Sequence, residues 1–516
     1  MDSQVTRQPR FSKSRVVSGL QCERRLWLES FRPELSKVDA SAQARLDTGH
    51  QVGDIARELL GPGTLIGHVH ELELAIAETI RFVLERQEVT LFEAAFRHAD
   101  VLVRADVLRP TDDGYELIEV KASTAVKDHQ LDDCAIQAWV IQSAGVPLRR
   151  IQLAHIDSSF VYRSNGDYQG LLVAEDVTDA VRARMHEVPG WVERPKDVLR
   201  GPEPLIKTGE HCHKPFDCPF FDYCRAQEPA GPEYPVTILP RVGKLAKTLQ
   251  AEGYLDLCEV PASRLINPLH RRVQAASISQ RPFMNPEVTA TMRKLAHPRY
   301  YLDFETIDFA VPRWTGTRPY QQIPFQWSCH VELPDGSIAH DMFLDLTGEP
   351  PMRAFAESLL AVLGDSGPIL VYNMGFEKTR ILDLAATFPD LAAPLNALTP
   401  RIVDLLPIAR EHYYHPAMKG SWSIKKVIPT IAPDLDYGNL EDVASSGDAP
   451  LAYLKATHPD TTEARRAELD AALRRYCAND TLAMVKLVGA FLRGNYPAAS
   501  QPKTVAQEYS ENLRQI

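Results

Sequence analysis

Apolar positions along the chain fall into two registers. At 40–60 and 71–87 they recur with a helical period, whereas TLFEAAF (90–96), VLVRADVL (101–108) and YELIEVKAS (115–123) alternate as half-buried strands do. TDDG at 111–114 has turn chemistry and predicts a hairpin between the last two strands. A helical run at 129–144, the strand RIQLAHI at 150–156 and a helix near 176–187 extend this into an α/β pattern. Pro and Gly around 228–235 mark a linker. Residues 236–296 read as a small helical connector. A second α/β pattern opens at 298, with strands at 299–306 and 323–331, a helix at 351–363, the strand PILVYN (368–373) and helices to about 494. The expected organisation is a domain over 1–230, a connector over 231–296, a domain over 297–495 and a polar tail over 496–516.

At 516 residues the chain exceeds what one hydrophobic core organises, in keeping with two or three domains. Its 57 Lys and Arg against 68 Asp and Glu give a net charge of −11, which argues against a protein that coats nucleic acid nonspecifically. A nuclease is not excluded, because acidic metal sites coexist with local basic grooves. Such grooves could draw on RFSKSR (10–15), KLAK (244–247), HRR (270–272) and KGSWSIKK (419–426), each of which also reads as solvated surface. The N-terminus lacks an apolar core segment and no run of about 18 apolar residues occurs, so a cytoplasmic protein without membrane partners is expected. Eight cysteines do not make a disulfide scaffold. In a reducing compartment they are free, catalytic or metal-bound.

Asp106 lies on one strand of the hairpin, and Glu119 and Lys121 lie two apart on the other, hence on one face. Asp and Glu offer oxygen ligands to Mg²⁺ or Mn²⁺, and a lysine beside the ion orients or deprotonates water and stabilises phosphate charge. A surface hairpin with a cross-strand Glu–Lys pair fits the same spacing. In context, the order of helix, strand with Asp, turn and strand with Glu-Val-Lys resembles the PD-(D/E)XK nuclease core in its RecB-like branch. That resemblance implies His50 in DTGHQVGDIAREL as a further metal ligand and Gln137 in CAIQAWVIQ as a supporting residue. The aromatic expected four residues after the glutamine is Ile141 here. His50 could instead cap a helix or sit in a core, and Gln137 could face solvent.

Cys22 precedes this segment, and Cys212, Cys218 and Cys224 follow it as C-x₅-C-x₅-C. Four thiolates suit an iron–sulfur cluster or a structural zinc, although zinc sites usually show paired knuckles. The one-plus-three arrangement resembles the iron–sulfur staple of AddB-type nucleases and CRISPR-associated RecB-like exonucleases. It implies a [4Fe–4S] cluster tying the N-terminal helix to the end of the domain.

YYLDFETIDF (300–309) sets Asp303 and Glu305 on one face of a strand, where they repel each other unless a cation lies between them or the strand end is wet. Further carboxylates follow. Glu377 stands in LVYNMGFEKTRIL after a strand-to-helix turn, and Tyr476 and Asp480 fall one turn apart in LRRYCANDTLAMVKL. This set resembles the DEDD 3′→5′ exonucleases of the tyrosine subtype, on a ribonuclease H-like fold. The resemblance implies two metal ions roughly 4 Å apart, with Tyr476 orienting the attacking water. Glu377 stands where that family usually has aspartate. SWSIKKVIP (421–429) also resembles a segment of this group, its lysines touching substrate or simply opening a capped helix.

Together these readings give an α/β fold with two nuclease domains, a restriction-endonuclease-like PD-(D/E)XK core and a ribonuclease H-like DEDD core. The pairing resembles predicted RecB-family nucleases that carry a C-terminal ribonuclease H-like domain. The implied function is a metal-dependent nuclease with two sites, acting on DNA ends or single strands. Repair, anti-phage defence and CRISPR-related DNA processing are the settings that the resemblance implies. Other classes remain: a nucleic-acid-binding scaffold with one idle site, or an RNA-processing exoribonuclease. Within the connector, LAKTLQAEGYLDLCEVPASRLI faintly resembles a helix–hairpin–helix backbone-binding unit, and a helical spacer fits it as well.

Overall fold

A computed structural model describes residues 11–37, 40–85, 87–435, 443 and 447–494. The fold is mixed α/β and divides into two compact units. One comprises Met1–Pro229 with Asp308–Gln321, the other Ala230–Ile307 with Gln322–Ile516. The polar tail expected over 496–516 lies outside the described residues.

The first unit is built on a six-stranded sheet in chain order: β1 (Gly63–Leu65), β2 (Thr90–His98), β3 (Val101–Thr111), β4 (Gly114–Lys121), β5 (Leu148–Ile156) and β6 (Leu172–Asp176). β2, β3 and β4 pair antiparallel, β4 and β5 parallel, and β5 and β6 antiparallel. The edge strands β1 and β6 escape the sequence pattern. β1 has three residues, and β6 is largely exposed, so neither needs a clean apolar alternation. The helix Asp128–Ser143 supplies Cys134, Ala135, Ile136, Ala138, Val140 and Ile141 to a core shared with Ala94, Phe96, Val103, Ala105, Leu117 and Leu153. Removing such side chains from water drives this packing, at roughly 1.5–3 kcal/mol per large aliphatic residue. A smaller core joins Val52, Ile156 and Leu171 to Ala310 and Val311 of the Asp308–Gln321 excursion.

The second unit holds a five-stranded sheet and a short two-stranded ribbon. The ribbon pairs β7 (Phe283–Met284) with a strand at Tyr413–Tyr414. The sheet contains β8 (Arg299–Ile307), β9 (Ile323–Glu332), β10 (Ile338–Leu344), β11 (Ile369–Val371) and β12 (Ile402–Asp404), and Tyr413–Tyr414 is β13. Sheet order is β10-β9-β8-β11-β12, antiparallel through β8 and parallel from β8 onward. The chain therefore leaves β8 on one side and returns on the other, so β8 and β11 flank a topological switch point, where open α/β sheets place ligands at strand carboxyl ends. The helix Glu463–Arg493 is far longer than the 473–487 stretch the sequence marks. Its buried stripe of Leu473, Tyr476, Cys477, Asp480, Thr481, Met484, Leu487, Val488 and Phe491 keeps helical spacing throughout.

The connector is helical, with Lys244–Ala251, Pro268–Ser279 and Glu287–Arg293, and its buried Leu249, Val273, Val288 and Met292 share one core with Met484 and Val488. Its 244–265 segment forms one α-helix and two short 3₁₀ turns, not two paired helices. Tyr234, in the expected linker, is buried in that same core. HRR is also structural: His270 is buried, while Arg271 and Arg272 donate to backbone carbonyls of Leu265, Arg410 and Glu411.

Gly420 shows how tight this packing is. It has φ +76°, and a Cβ there would fall 1.7 Å from the Ile238 carbonyl oxygen. Gly420→Ala is expected to lower stability by roughly 3 kcal/mol or more through strain and overlap, read as a lower thermal midpoint. An unchanged midpoint would contradict the close approach.

Candidate active sites

In the second unit, β8 alternates Leu302 and Phe304 toward one side with Asp303 and Glu305 toward the other. A register irregularity follows Glu305, where regular pairing with β9 breaks. The long helix brings Asp480 to the same place, and ligand oxygens of Asp303, Glu305 and Asp480 all lie within 4.8 Å of one another. This is the one such group of three or more ligating side chains among the described residues.

Burial pushes the Asp303 carboxyl well above the usual carboxylate range, and Asp480, Glu305 and Glu377 add to it. Glu305 rises to about 8 through burial and Asp480, with Lys425 opposing. Glu377 opens the helix Gly375–Thr387 and rises to about 8 through burial, with Asp404 contributing. It is 2% exposed, and its Oε2 meets no hydrogen-bond donor among the described residues. Its turn is fastened by Asp404, whose carboxylate accepts the Asn373 and Met374 N–H groups at 3.0 and 3.1 Å.

Tyr476 is buried on the same helix face as Asp480. Lys425 Nζ donates to its hydroxyl at 2.8 Å and lies 4.6 Å from its ring centroid. An ammonium cannot accept, so the Tyr476 oxygen accepts here and keeps its own O–H for donation. Burial and Asp480 push the phenol up, so it stays protonated. Behind the acids, Thr481 is 2.9 Å from Ser328 Oγ and 2.8 Å from His330 Nδ1, and Ser328 is 2.8 Å from His340 Nε2. That buried network fixes the helix against β9 and β10.

In the first unit, the β3–β4 ladder runs only from Thr111–Gly114 to Val107–Ile118. Beyond it the Asp106 carboxylate takes over and accepts the Val120 N–H at 2.7 Å. Burial and Glu119 push Asp106 up to about 7, against Lys121, Lys13 and that N–H. Glu119 is buried, with Oε2 receiving Gln137 Nε2 at 2.6 Å and Oε1 receiving Lys121 Nζ at 2.7 Å. Gln137 is thus a buried site residue, not a solvent-facing one.

Two further residues complete the group. Asp133 Oδ2 accepts Lys121 Nζ at 2.6 Å, and Lys13 Nζ lies 3.2 Å from both Glu119 Oε1 and Asp133 Oδ2. Asp133 lies four residues before Gln137 on one helix face, a spacing visible in the sequence. Lys13 was visible only as part of the basic stretch RFSKSR. His50 departs from expectation: it is exposed on the helix Ala40–Leu59 and forms no three-ligand group with Asp106 and Glu119. Packing of that helix is carried by Val52 and Ala56 on its buried face, and His50 lies outside it.

Cys22 caps the junction between the helices Lys13–Gln21 and Glu23–Phe31, while Cys212, Cys218 and Cys224 come from the segment after the sheet. The Cys218 N–H donates to the Cys212 carbonyl at 2.8 Å. Burial pushes the Cys224 thiol up to about 11 against Arg24, and the other three thiols add to the rise. Among the described residues, no three of these sulfurs lie within 4.8 Å of one another. Gln21 Nε2 donates to the His211 and Phe216 carbonyls at 2.8 and 2.6 Å, joining the two segments independently.

A family model described as a domain of unknown function (DUF2779) matches residues 300–423, which hold Asp303, Glu305 and Glu377. The chain is 24% identical over 258 residues to a Mycoplasma pneumoniae protein described as an uncharacterized protein MG366 homolog. That match covers 46% of this chain and 38% of the relative's length. Among the described residues, no helix is long and apolar enough to cross a membrane.

The carboxyl shifts set a pH dependence. In the metal-free protein Glu305 and Glu377 keep protons to about pH 8, against an ordinary 4.5. The folded state then binds more protons than the unfolded chain across that window, so stability is full below it and falls as pH rises through it. A divalent ion at about 100 times its Kd adds about 2.7 kcal/mol, or roughly 5–10 °C for a unit this size. Thermal melts with and without Mn²⁺ should show the larger rise at about pH 8 and little at about pH 5. Equal rises would mean that the ion does not bind these acids.

Proposed function

We propose that the chain is a metal-dependent nuclease with two separate active sites, acting on DNA ends or single strands. The observation that carries this reading is the buried convergence of Asp303, Glu305 and Asp480, which are 177 residues apart at their extremes yet meet within 4.8 Å. Three carboxyl groups there, with the orphaned Glu377 Oε2 beside them, fit a divalent cation by donor chemistry. The five-stranded sheet, with its antiparallel and parallel halves meeting at β8, supports the ribonuclease H-like part of the reading, and the mixed sheet carrying Asp106, Glu119 and Lys121 supports the PD-(D/E)XK part.

Asp303, Glu305, Asp480 and Glu377 would hold the ions of the second site, and Asp106 and Glu119 one ion of the first. Bound Mg²⁺ or Mn²⁺ would lower the pKa of water and offset charge on the phosphodiester. The residues supply the rest. Tyr476, its oxygen held by Lys425, directs its O–H to place the attacking water. Lys121, on the same face as Glu119, stabilises charge on the scissile phosphate, and Gln137 holds Glu119 in its rotamer. Cys22, Cys212, Cys218 and Cys224 would bind a [4Fe–4S] cluster that closes a long loop, with structural zinc as the alternative.

End-labelled single- and double-stranded DNA and matched RNA, each with Mg²⁺ or Mn²⁺, test this. Asp106→Ala and Asp303→Ala should each remove one cleavage activity by roughly 10²–10³-fold, and the double variant both. If neither single change lowers Mn²⁺-dependent cleavage, the chain is a binding scaffold and the proposal is lost. Cleavage confined to RNA would make it an exoribonuclease. Anaerobically purified protein should be brown, and Cys22→Ser should bleach it. Colourless protein carrying zinc would select the alternative.

A further inference from the structure

We propose that Lys13 is a catalytic residue of the first site: a ligand of the substrate phosphate that holds the place of the divalent ion until the ion arrives. This rests on reading that site as a metal-dependent nuclease. The placement follows from the backbone. The β3–β4 ladder leaves the start of β3 open, and Ser12 fills it through a bridge to Leu102, whose N–H donates to the Phe11 carbonyl at 3.1 Å. The helix Lys13–Gln21 starts there, which aims Lys13 at the gap where β4 parts from β3.

Lys13 and Lys121 reach the same two oxygens, Glu119 Oε1 and Asp133 Oδ2, but not equally. Lys121 makes short bonds of 2.7 and 2.6 Å, whereas both Lys13 distances are 3.2 Å, at the long end for an ammonium and carboxylate. Gln137 holds the other oxygen of Glu119. Withdrawing Lys13 would therefore leave both acids their shorter bonds, to Lys121, whereas withdrawing Lys121 would leave them only the longer contacts to Lys13. The Lys13 and Lys121 side chains are 21% and 25% exposed, so an incoming strand could meet either, and bond length is what separates them.

Charge balance points the same way. A divalent ion and two ammoniums carry four positive charges against the three carboxylates Asp106, Glu119 and Asp133. The single excess charge suits a phosphodiester. Without Lys13 the loaded site would be neutral. With an ion held by Glu119, Lys13 would be repelled from Oε1, and a phosphate oxygen would suit its ammonium as a replacement partner.

The test uses full-length protein with Asp303→Ala, Glu305→Ala and Asp480→Ala, which silences the other site and removes the acids grouped there. Mn²⁺ binding is followed by electron paramagnetic resonance, and cleavage with a 5′-labelled single-stranded oligodeoxynucleotide. Lys13→Met should bind Mn²⁺ roughly tenfold more tightly, having lost its competitor, yet cleave with kcat/KM lowered about 10²-fold. Lys13→Arg should stay within about tenfold of the parent rate. Unchanged affinity and rate in Lys13→Met, or weaker Mn²⁺ binding, would make Lys13 a structural member only. If Lys13→Met does not fold, Lys13→Arg decides: a loss near 10²-fold overturns the role. Asp106→Ala separates the premises, since Mn²⁺ binding that survives it would refute the metal site itself.

Discussion

Repulsion between buried carboxylates governs both halves of this molecule, and each answers it differently. In the C-terminal unit Asp303, Glu305 and Asp480 crowd together, and Glu305 and Glu377 answer by holding protons to about pH 8. Lys425 eases Glu305 but donates its hydrogen bond to Tyr476. In the N-terminal unit Lys13 and Lys121 lie against Glu119 and Asp133, so the acids stay close to ammonium groups. One site stores its deficit of positive charge as bound protons; the other supplies most of the charge from its lysines, with Asp106 still pushed up to about 7 by burial and Glu119.

Both arrangements depend on where regular pairing stops. Asp106 replaces a ladder bond where β3 and β4 part, and Glu305 sits at the irregularity that ends regular pairing of β8 with β9. A strand that breaks its ladder exposes polar backbone and must find other partners. Asp106, placed at such a point, satisfies the Val120 N–H that the ladder leaves. The long helix Glu463–Arg493 then fixes Asp480 and Tyr476 through a stripe of apolar contacts and through Thr481.

Much of this was legible in the sequence because it rests on local periods. Alternation located β2 to β4; strand-like runs located β5, β8, β9 and β11; TDDG located a turn; the i, i+4 spacing paired Tyr476 with Asp480. The Glu377 turn and the role of Gln137 came from resemblance, and the structure buries both side chains. What escaped depends on distant chain. Lys13 reaches its partners only because Ser12 bridges Leu102, and no local pattern records that. β1, β6, β10 and β12 are short or exposed strands whose pairing is decided by neighbours. His50 matched a motif position, and its helix leaves that residue exposed.

The excursion Asp308–Gln321 bears on how the chain is made. Ala310 and Val311 complete the small core around Val52, Ile156 and Leu171. A ribosome must therefore translate past residue 311 before that core can close, by which point β8 has already been synthesised and waits for β9. Cutting the gene at the apparent boundary near residue 230 would yield an N-terminal fragment with a bare apolar face, prone to stick to others like it.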